Sequence, residues 1–262
     1  MTPPDHVPAG ELDEAAGASI LASLARAEQL AQRWAEADTE TFLAGMIHEE
    51  FPGRIALVSS FGAEAAVLLH LVAGIAPALP VVFLDTGKLF GETLRYRDRL
   101  IADFGLQDVR SVTPDPARVD ALDPDGVLWF GNPDMCCHLR KVEPLNRALE
   151  GFDAWITGRK NFQSGSRANL QRIERNREDG RIKINPLASW QKQDLDGYFE
   201  RHRLPRHPLE ADGFLSIGCM PCTDRVAPGE DARAGRWRGR EKTECGIHLP
   251  MGKWNMGGMD GI

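Results

Sequence analysis

The chain has 262 residues, of which 42% are hydrophobic and 26% charged, and its formal net charge is −7. These fractions are typical of an ordinary globular protein, and the length is enough to bury a full core in one domain. The negative net charge argues against a general binder of nucleic acids or of membrane surfaces.

The first residues contain neither the basic nor the apolar segment of a secretion signal, and no apolar run of about 18 residues follows. We therefore expect a cytoplasmic protein, in which thiols stay reduced. Paired cysteines in that setting are more often metal ligands or redox groups than structural disulfides.

The N-terminal segment is predicted to be helical after a disordered start. Residues 1–10 are rich in proline, which favours disorder. Residues 11–50 show apolar residues at helical spacing, which predicts two helices broken near Asp38 and Thr39. Either of these two residues would serve as an N-cap for the second helix.

Short apolar runs that alternate with helical stretches then predict an α/β fold with a mostly parallel sheet covered on both faces. The predicted strands are 55–60, 81–86, 108–112, 154–158 and 181–185, with helices at about 64–73 and 92–104. After residue 205 the pattern predicts loops and short helices laid over the core. Ligands of such sheets bind at the carboxyl ends of the strands.

Polar segments follow three of these strands: SSFGAE at 59–64, LDTG at 84–87 and TGRKNFQSGSR at 157–167. The first could hold an anion on backbone N–H groups at a helix N-terminus, although a plain strand-to-helix turn explains it equally well. The third places three basic residues in a flexible loop, which suits a phosphate or sulfate clamp better than a solvated basic loop.

Four of the five cysteines form two pairs, the adjacent Cys136-Cys137 and the Cys-x-x-Cys of Cys219 and Cys222. Structural zinc normally takes two spaced pairs, whereas neighbouring thiolates can each ligate a different iron of an iron–sulfur cluster. The pattern favours a cluster over zinc, and both over cysteines that are merely buried.

The fifth cysteine, Cys245, stands in a polar, glycine-flanked tail. Lys242, His248 and upstream arginines would lower the pKa of its thiol and make it a nucleophile, while an ordinary surface cysteine is the alternative. If the other four thiols hold metal, any redox cycle at Cys245 requires an external thiol.

The chain resembles the assimilatory sulfonucleotide reductases, in particular bacterial adenylyl-sulfate (APS) reductases that carry a 4Fe-4S cluster. The resemblance spans residues 55–249 and rests on SSFGAE, LDTGKLFGET, CCHLRKVEPL, TGRKNFQSGSRANL, GCMPCT and ECGIH. It implies a Rossmann-like fold of the adenine-nucleotide α-hydrolase type with a flexible C-terminal tail. We accordingly divide the chain into an N-terminal helical extension (1–50), a sulfonucleotide-binding α/β domain (51–210) and a C-terminal segment (211–262).

The resemblance also implies a role for each residue of the site. Cys136, Cys137, Cys219 and Cys222 would ligate the cluster, and Cys245 would be the catalytic nucleophile. The implied substrate-binding residues are Ser59, Ser60, Phe61, Gly62, Glu64, Leu84, Asp85, Thr86, Gly87, Lys141, Arg159, Lys160, Arg167, Arg233, Arg236 and His248.

The implied reaction is thioredoxin-dependent reduction of APS to sulfite and AMP through an S-sulfocysteine. The reductant would be thioredoxin or glutaredoxin, and a homo-oligomer is possible. Phe61 and Lys160 stand where many cluster-bearing relatives have serine and arginine, so reduction of 3′-phosphoadenylyl sulfate (PAPS) stays an alternative. Two remoter alternatives are an ATP-dependent thiolating ligase and a nucleotide-binding redox sensor. Ala63-Glu64-Ala65 replaces the pyrophosphate loop of the ligases.

Overall fold

The computed structural model describes residues 9–163, 167–176 and 179–248. The α-helices in chain order are α1 (Ala9–Arg33), α2 (Thr39–Gly45), α3 (Ala65–Ile75), α4 (Gly91–Phe104), α5 (Pro116–Leu122), α6 (Leu128–Gly131), α7 (Pro133–Cys137), α8 (Glu143–Ala148) and α9 (Lys192–His202). The strands are β1 (Ile55–Val58), β2 (Val81–Leu84), β3 (Val109–Val112), β4 (Ala154–Thr157), β5 (Ile173–Arg175) and β6 (Ile182–Ile184).

The six strands of the described residues form one sheet in the order β3-β2-β1-β4-β6-β5. All neighbours pair in parallel except β5, which runs antiparallel to β6. The chain leaves β1 toward β2 and β3 and later returns on the other side of β1 as β4. This reversal opens a crevice at the carboxyl ends of β1 and β4, where open α/β sheets bind ligands.

Alternate residues of β1 belong to different cores. Ile55 and Leu57 pack in the larger apolar cluster, and Ala56 and Val58 pack in a second cluster with Trp155 of β4. Side chains alternate across a strand, so both faces of the sheet are covered. The predicted α/β class with a mostly parallel sheet is confirmed.

The N-terminal helices break where the sequence predicts. The Asp38 carboxylate accepts a hydrogen bond of 2.8 Å from the backbone N–H of Thr41 and caps α2. Hydrogen bonds from the Thr41 backbone N–H and from the Thr41 hydroxyl hold the pKa of Asp38 below its ordinary value. The prediction of disorder over 1–10 is wrong at residues 9 and 10, which begin α1, and residues 1–8 lie outside the described residues.

The chain after α9 lies over the sheet as loops and short 3₁₀ turns at Pro208–Glu210 and Met220–Cys222, as predicted. The strand β5 was not predicted. No helix in the described ranges combines the length and the apolar character needed to cross a membrane. The division at residues 50 and 210 stays a prediction, and residues 249–262 of the tail lie outside the described part.

Two short π-helical segments interrupt the helices. One, Met46–Glu50, continues α2, and the other, His138–Val142, joins α7 to α8. The second carries Arg140 and Lys141 directly after the cysteine pair. Single π-helical turns are frequent at functional sites because they change which side chains face a pocket.

Candidate active site

A cavity of about 230 Å³ lies at the carboxyl ends of β1 and β4. Its wall contains most of the side chains that the sequence assigns to substrate. These are Ser59, Ser60, Gly62, Glu64, Leu84, Thr86, Lys141, Arg159, Lys160, Arg167, Arg233, Arg236 and His248, together with Cys245. The topology therefore gathers five separate regions of the chain around one space.

Three predicted residues do not line this cavity. Phe61 is fully buried in the core, where its ring packs edge-to-face on Phe83 at 5.4 Å. Asp85 accepts a hydrogen bond from the backbone N–H of Gly87, so these two residues close a turn beside the cavity. Leu84 and Thr86 represent the LDTG segment on the cavity wall.

The loop after β1 turns sharply at Phe61, whose φ is +49°, an unusual value for a residue with a side chain. Ser59 Oγ accepts a hydrogen bond from the Phe61 N–H at 3.2 Å. A Cβ added at Gly62 would lie 3.3 Å from the carbonyl oxygen of Ile217, so glycine fits this close approach. The turn directs Ser60 toward the cavity.

Several cations of the site already have carboxylate partners. Lys160 is buried and donates to Glu64 Oε2 at 2.6 Å. Arg159 pairs with Glu174 of β5. Burial lowers the pKa of both basic groups, and the carboxylates oppose that effect. These two side chains hold the loop after β4 in place.

Arg167 is engaged in the same way by the C-terminal tail. Its guanidinium donates to both carboxylate oxygens of Glu244, at 2.6 and 2.8 Å, and to Gln163 Oε1 at 2.6 Å. Although burial favours the neutral acid, Arg167 holds the pKa of Glu244 below its ordinary value. Arg233 also approaches Glu244, at 3.5 Å.

Lys141 and Arg236 differ from these cations because no carboxylate pairs with either within the described part of the chain. Although burial favours the neutral amine, the charges of Cys219 and Cys245 raise the pKa of Lys141. Arg236 donates to the Cys222 carbonyl oxygen at 3.3 Å and lies over the Trp237 ring. An anion in the cavity would find two cations that no described carboxylate neutralises.

The surroundings of His248 favour its neutral form. Burial and the nearby cations, Arg159 first among them, hold its pKa well below the ordinary value. Its ring stacks on Trp155 with 5.6 Å between the ring centroids and an interplanar angle of 3°. The predicted residue His248 therefore lines the cavity as an uncharged aromatic surface and hydrogen-bonding group.

The four paired cysteines line one small cavity, which shares Lys141 and Arg236 with the larger one. Thr86 Oγ1 lies 3.3 Å from Cys219 Sγ. Burial raises the pKa of Cys136 to about 11 and that of Cys137 to about 12. Although burial opposes it, the Lys141 charge lowers the pKa of Cys219. Within the described ranges, no group of three or more His, Cys, Asp or Glu side chains is arranged so that it could hold a metal ion.

Sequence reasoning missed the partners that organise this site. Arg140 donates to the Thr86 carbonyl oxygen at 3.0 Å and forms a buried ion pair of 2.6 Å with Asp123. Glu244 and Glu174, which engage Arg167 and Arg159, were also not predicted. The position of Glu244 next to Cys245 was the one available signal, because it belongs to the ECGIH segment.

A family profile described as the phosphoadenosine phosphosulfate reductase domain matches residues 54–225. The chain belongs to this family. An adenosine 5′-phosphosulfate reductase of Mesorhizobium japonicum is 56% identical over 201 residues, which are 77% of this chain and 78% of that protein. A protein of the same name from Streptomyces coelicolor is 43% identical over 203 residues, 76% of this chain and 84% of the relative.

Among solved structures, a phosphoadenylyl-sulfate (PAPS) reductase of Candida auris in a phosphate complex matches with a TM-score of 0.65 and 26% identity. The match covers 76% of this chain and 96% of that one. The predicted membership of the sulfonucleotide reductases and the predicted adenine-nucleotide fold are thereby confirmed.

Proposed function

We propose that the protein reduces adenylyl sulfate (APS) to sulfite and AMP. One observation carries this proposal: Cys245 lies on the wall of the same cavity as the loops after β1 and β4 and the cations Lys141 and Arg236. A nucleophile and an anion site thus share one space at the ligand-binding edge of the sheet. The reductases of Mesorhizobium japonicum and Streptomyces coelicolor carry the name of this activity.

The substrate is an adenylate whose phosphate is esterified to sulfate. Its adenosine part would lie beside Leu84 and Leu57, and its phosphosulfate part toward Lys141, Arg233 and Arg236, which all line the cavity. Lys141 and Arg236 have their charge available for the substrate, since no described carboxylate neutralises either of them. Ser59 and Ser60 would donate hydrogen bonds to the phosphate.

In the first step the Cys245 thiolate attacks the sulfur of APS. A sulfur–sulfur bond forms, the bond between that sulfur and the phosphate oxygen breaks, and AMP leaves with the electron pair. Lys141 and Arg236 would stabilise the charge that develops on the phosphate oxygens. The enzyme is left as an S-sulfocysteine.

In the second step a dithiol reductant of the thioredoxin or glutaredoxin type cleaves this sulfur–sulfur bond. One of its thiolates attacks Cys245 Sγ, and sulfite leaves with the bonding electrons. The second thiol then displaces Cys245, so that the reductant is oxidised to a disulfide and the Cys245 thiolate is restored. The balance is two electrons from the dithiol for each sulfite released.

We further propose that Cys136, Cys137, Cys219 and Cys222 hold a 4Fe-4S cluster. The support is the donor set: four thiols around one cavity, with the cations Lys141 and Arg140 also on its wall. A cluster bound by four thiolates is anionic, and flanking cations offset that charge. When bound, the cluster would supply a fixed negative charge that holds Lys141 beside the substrate.

The catalytic step is tested with Cys245→Ser. Incubation of the wild-type chain with sulfur-labelled APS, without reductant, should leave the label covalently on the Cys245 peptide. The serine variant should bind AMP as tightly as the wild type and carry no label. Label on the serine variant, or on one of the other four cysteines, would contradict the assigned nucleophile.

The cluster is tested by purification without oxygen. The wild-type protein should be brown and hold about four irons per chain, and Cys219→Ala should lose both colour and iron. A colourless wild-type protein that binds one zinc would show the alternative metal site. This measurement does not depend on turnover of APS.

PAPS is the competing substrate, and the Candida auris PAPS reductase is a structural relative. A comparison of kcat/KM for APS and PAPS with the same reductant distinguishes the two activities. We expect the larger value with APS, in keeping with the two named relatives. A larger value with PAPS would assign the chain to the other activity of the family.

A further inference from the structure

The segment before the nucleophile, residues 240–244, is irregular and lies along the body; we call it the strap. Arg240, Lys242 and Glu244 point inward: Arg240 donates to two backbone carbonyl groups of α6, Lys242 pairs with an aspartate of α7, and Glu244 pairs with Arg167. The side chains between them, Glu241 and Thr243, are exposed. Every second side chain therefore attaches the strap to the body.

The last attachment is the most enclosed one. The side chains of Glu244 and Arg167 are 7% and 9% exposed, and two parallel N–H···O bonds join them. Gln163 accepts from the remaining edge of the guanidinium. A bidentate pair of this kind fixes orientation as well as distance. Because Glu244 directly precedes Cys245, the pair also determines where the thiol lies.

All three nitrogens of Arg167 therefore donate a hydrogen bond, two to the tail and one to its own loop. The family resemblance gives Arg167 to the substrate, but this geometry gives it a different partner. We propose that Glu244 is a positioning residue for Cys245 and that Arg167 is the residue that binds Glu244 and holds it in place. The proposal extends the proposed function, because it concerns how the nucleophile of that reaction is held.

The physical basis is orientation. A thiol on an unattached tail must find the reacting sulfur on each turnover, whereas an attached one is already in place, and a small misplacement of a nucleophile costs about 100-fold in rate. Substrate affinity, in contrast, is assigned to Lys141, Arg233 and Arg236. Of these, Arg233 approaches Glu244 at 3.5 Å and is also held by the Thr243 carbonyl oxygen at 2.8 Å, so it keeps a partner when the Glu244 charge is removed. The proposal therefore predicts an effect on the rate of S-sulfonation without an effect on affinity.

The first test compares Glu244→Gln with the matched control Glu241→Gln. We expect Glu244→Gln to slow single-turnover S-sulfonation of Cys245 by roughly 100-fold while the Kd for AMP stays unchanged. Glu244→Asp, which keeps the charge on a shorter arm, should recover part of the rate. Glu241→Gln changes an exposed side chain of the same strap and should match the wild type in both measurements.

The opposite assignment makes an opposite prediction. If instead Arg167 binds the substrate, Glu244 competes with the substrate for Arg167. Glu244→Gln would then free the Arg167 charge to face the cavity, and AMP would bind more tightly. A lower Kd for AMP in Glu244→Gln would therefore overturn the proposal. A double variant, Glu244→Gln with Arg167→Gln, should be no slower than either single variant, since both remove one interaction. Additive losses would also count against it.

A readout without turnover separates this proposal from the proposed function. In Glu244→Gln the strap is released, so iodoacetamide should alkylate Cys245 about ten times faster than in the wild type. Mass spectrometry of the Cys245 peptide measures this rate. Faster alkylation in a chain that does not reduce APS would reject the proposed activity and keep the strap. Unchanged alkylation in an active chain would reject the strap and keep the activity.

Discussion

Asp123→Asn tests how the buried ion pair with Arg140 supports the cysteine-bearing helix. The two side chains are 1% and 8% exposed. Asparagine keeps an oxygen that accepts from the Leu128 N–H, a bond of 2.7 Å to Asp123 Oδ1. It removes the charge and replaces Oδ2, which accepts two hydrogen bonds from Arg140, by an amide donor. Arg140 is then left buried without a counter-charge, which costs about 3–5 kcal/mol of the free energy of unfolding.

Urea unfolding followed by circular dichroism measures this loss. With a slope of roughly 2.5 kcal/mol per molar urea, the midpoint should fall by about 1–2 M. The control is Asp153→Asn, which breaks a pair with Arg54 whose side chains are 49% and 57% exposed. An ion pair as exposed as this one contributes little to stability, because water and salt screen it. Equal losses in the two variants would refute the argument that burial determines the cost.

Two further predictions concern one histidine and one glycine. Burial lowers the pKa of His207 from 6.5 to about 4, and its Nδ1 accepts from the Leu209 N–H. As the pH falls, the imidazole of His207 is protonated in the unfolded chain before it is protonated in the folded one, which stabilises the unfolded chain. The free energy of unfolding should therefore fall by about 3 kcal/mol as the pH drops from 6.5 to 4. His207→Asn should lose this part of the pH dependence of stability. An unchanged pH dependence in the variant would contradict the prediction. A Cβ at Gly218 would lie 2.3 Å from Arg236 Nη2, so Gly218→Ala should displace this guanidinium and raise the Kd for AMP about tenfold. An unchanged Kd would show that Arg236 does not bind the phosphate.

The central strands β1, β2 and β4 could be predicted because each is a short, mostly apolar run with little exposure on either face, whereas β3 at the sheet edge has two exposed residues. Every residue of β1 and β4 is buried, and the printed sequence shows those runs directly. β5 escaped prediction because it has three residues, Ile173 to Arg175, and only the first is buried. It owes its conformation to pairing with β6 rather than to its own composition.

The cysteines and the nucleophile could be proposed from sequence because their chemistry is carried by residue type and spacing. Their counter-charges could not. Glu244 meets Arg167 across 77 positions, and Glu64 meets Lys160 across 96. No local pattern links such residues, so the cations that remain available to an anion cannot be told from those already neutralised.

Residue order and residue type by themselves determined the parallel sheet, the segments that carry the site and the separation of one thiol from the other four. The tertiary structure alone decided which charges are compensated and that Phe61 belongs to the core. The physical reason is the range of the interactions: strand and helix formation follow from neighbouring residues, whereas the burial and charge of a side chain depend on groups that folding brings from elsewhere in the chain.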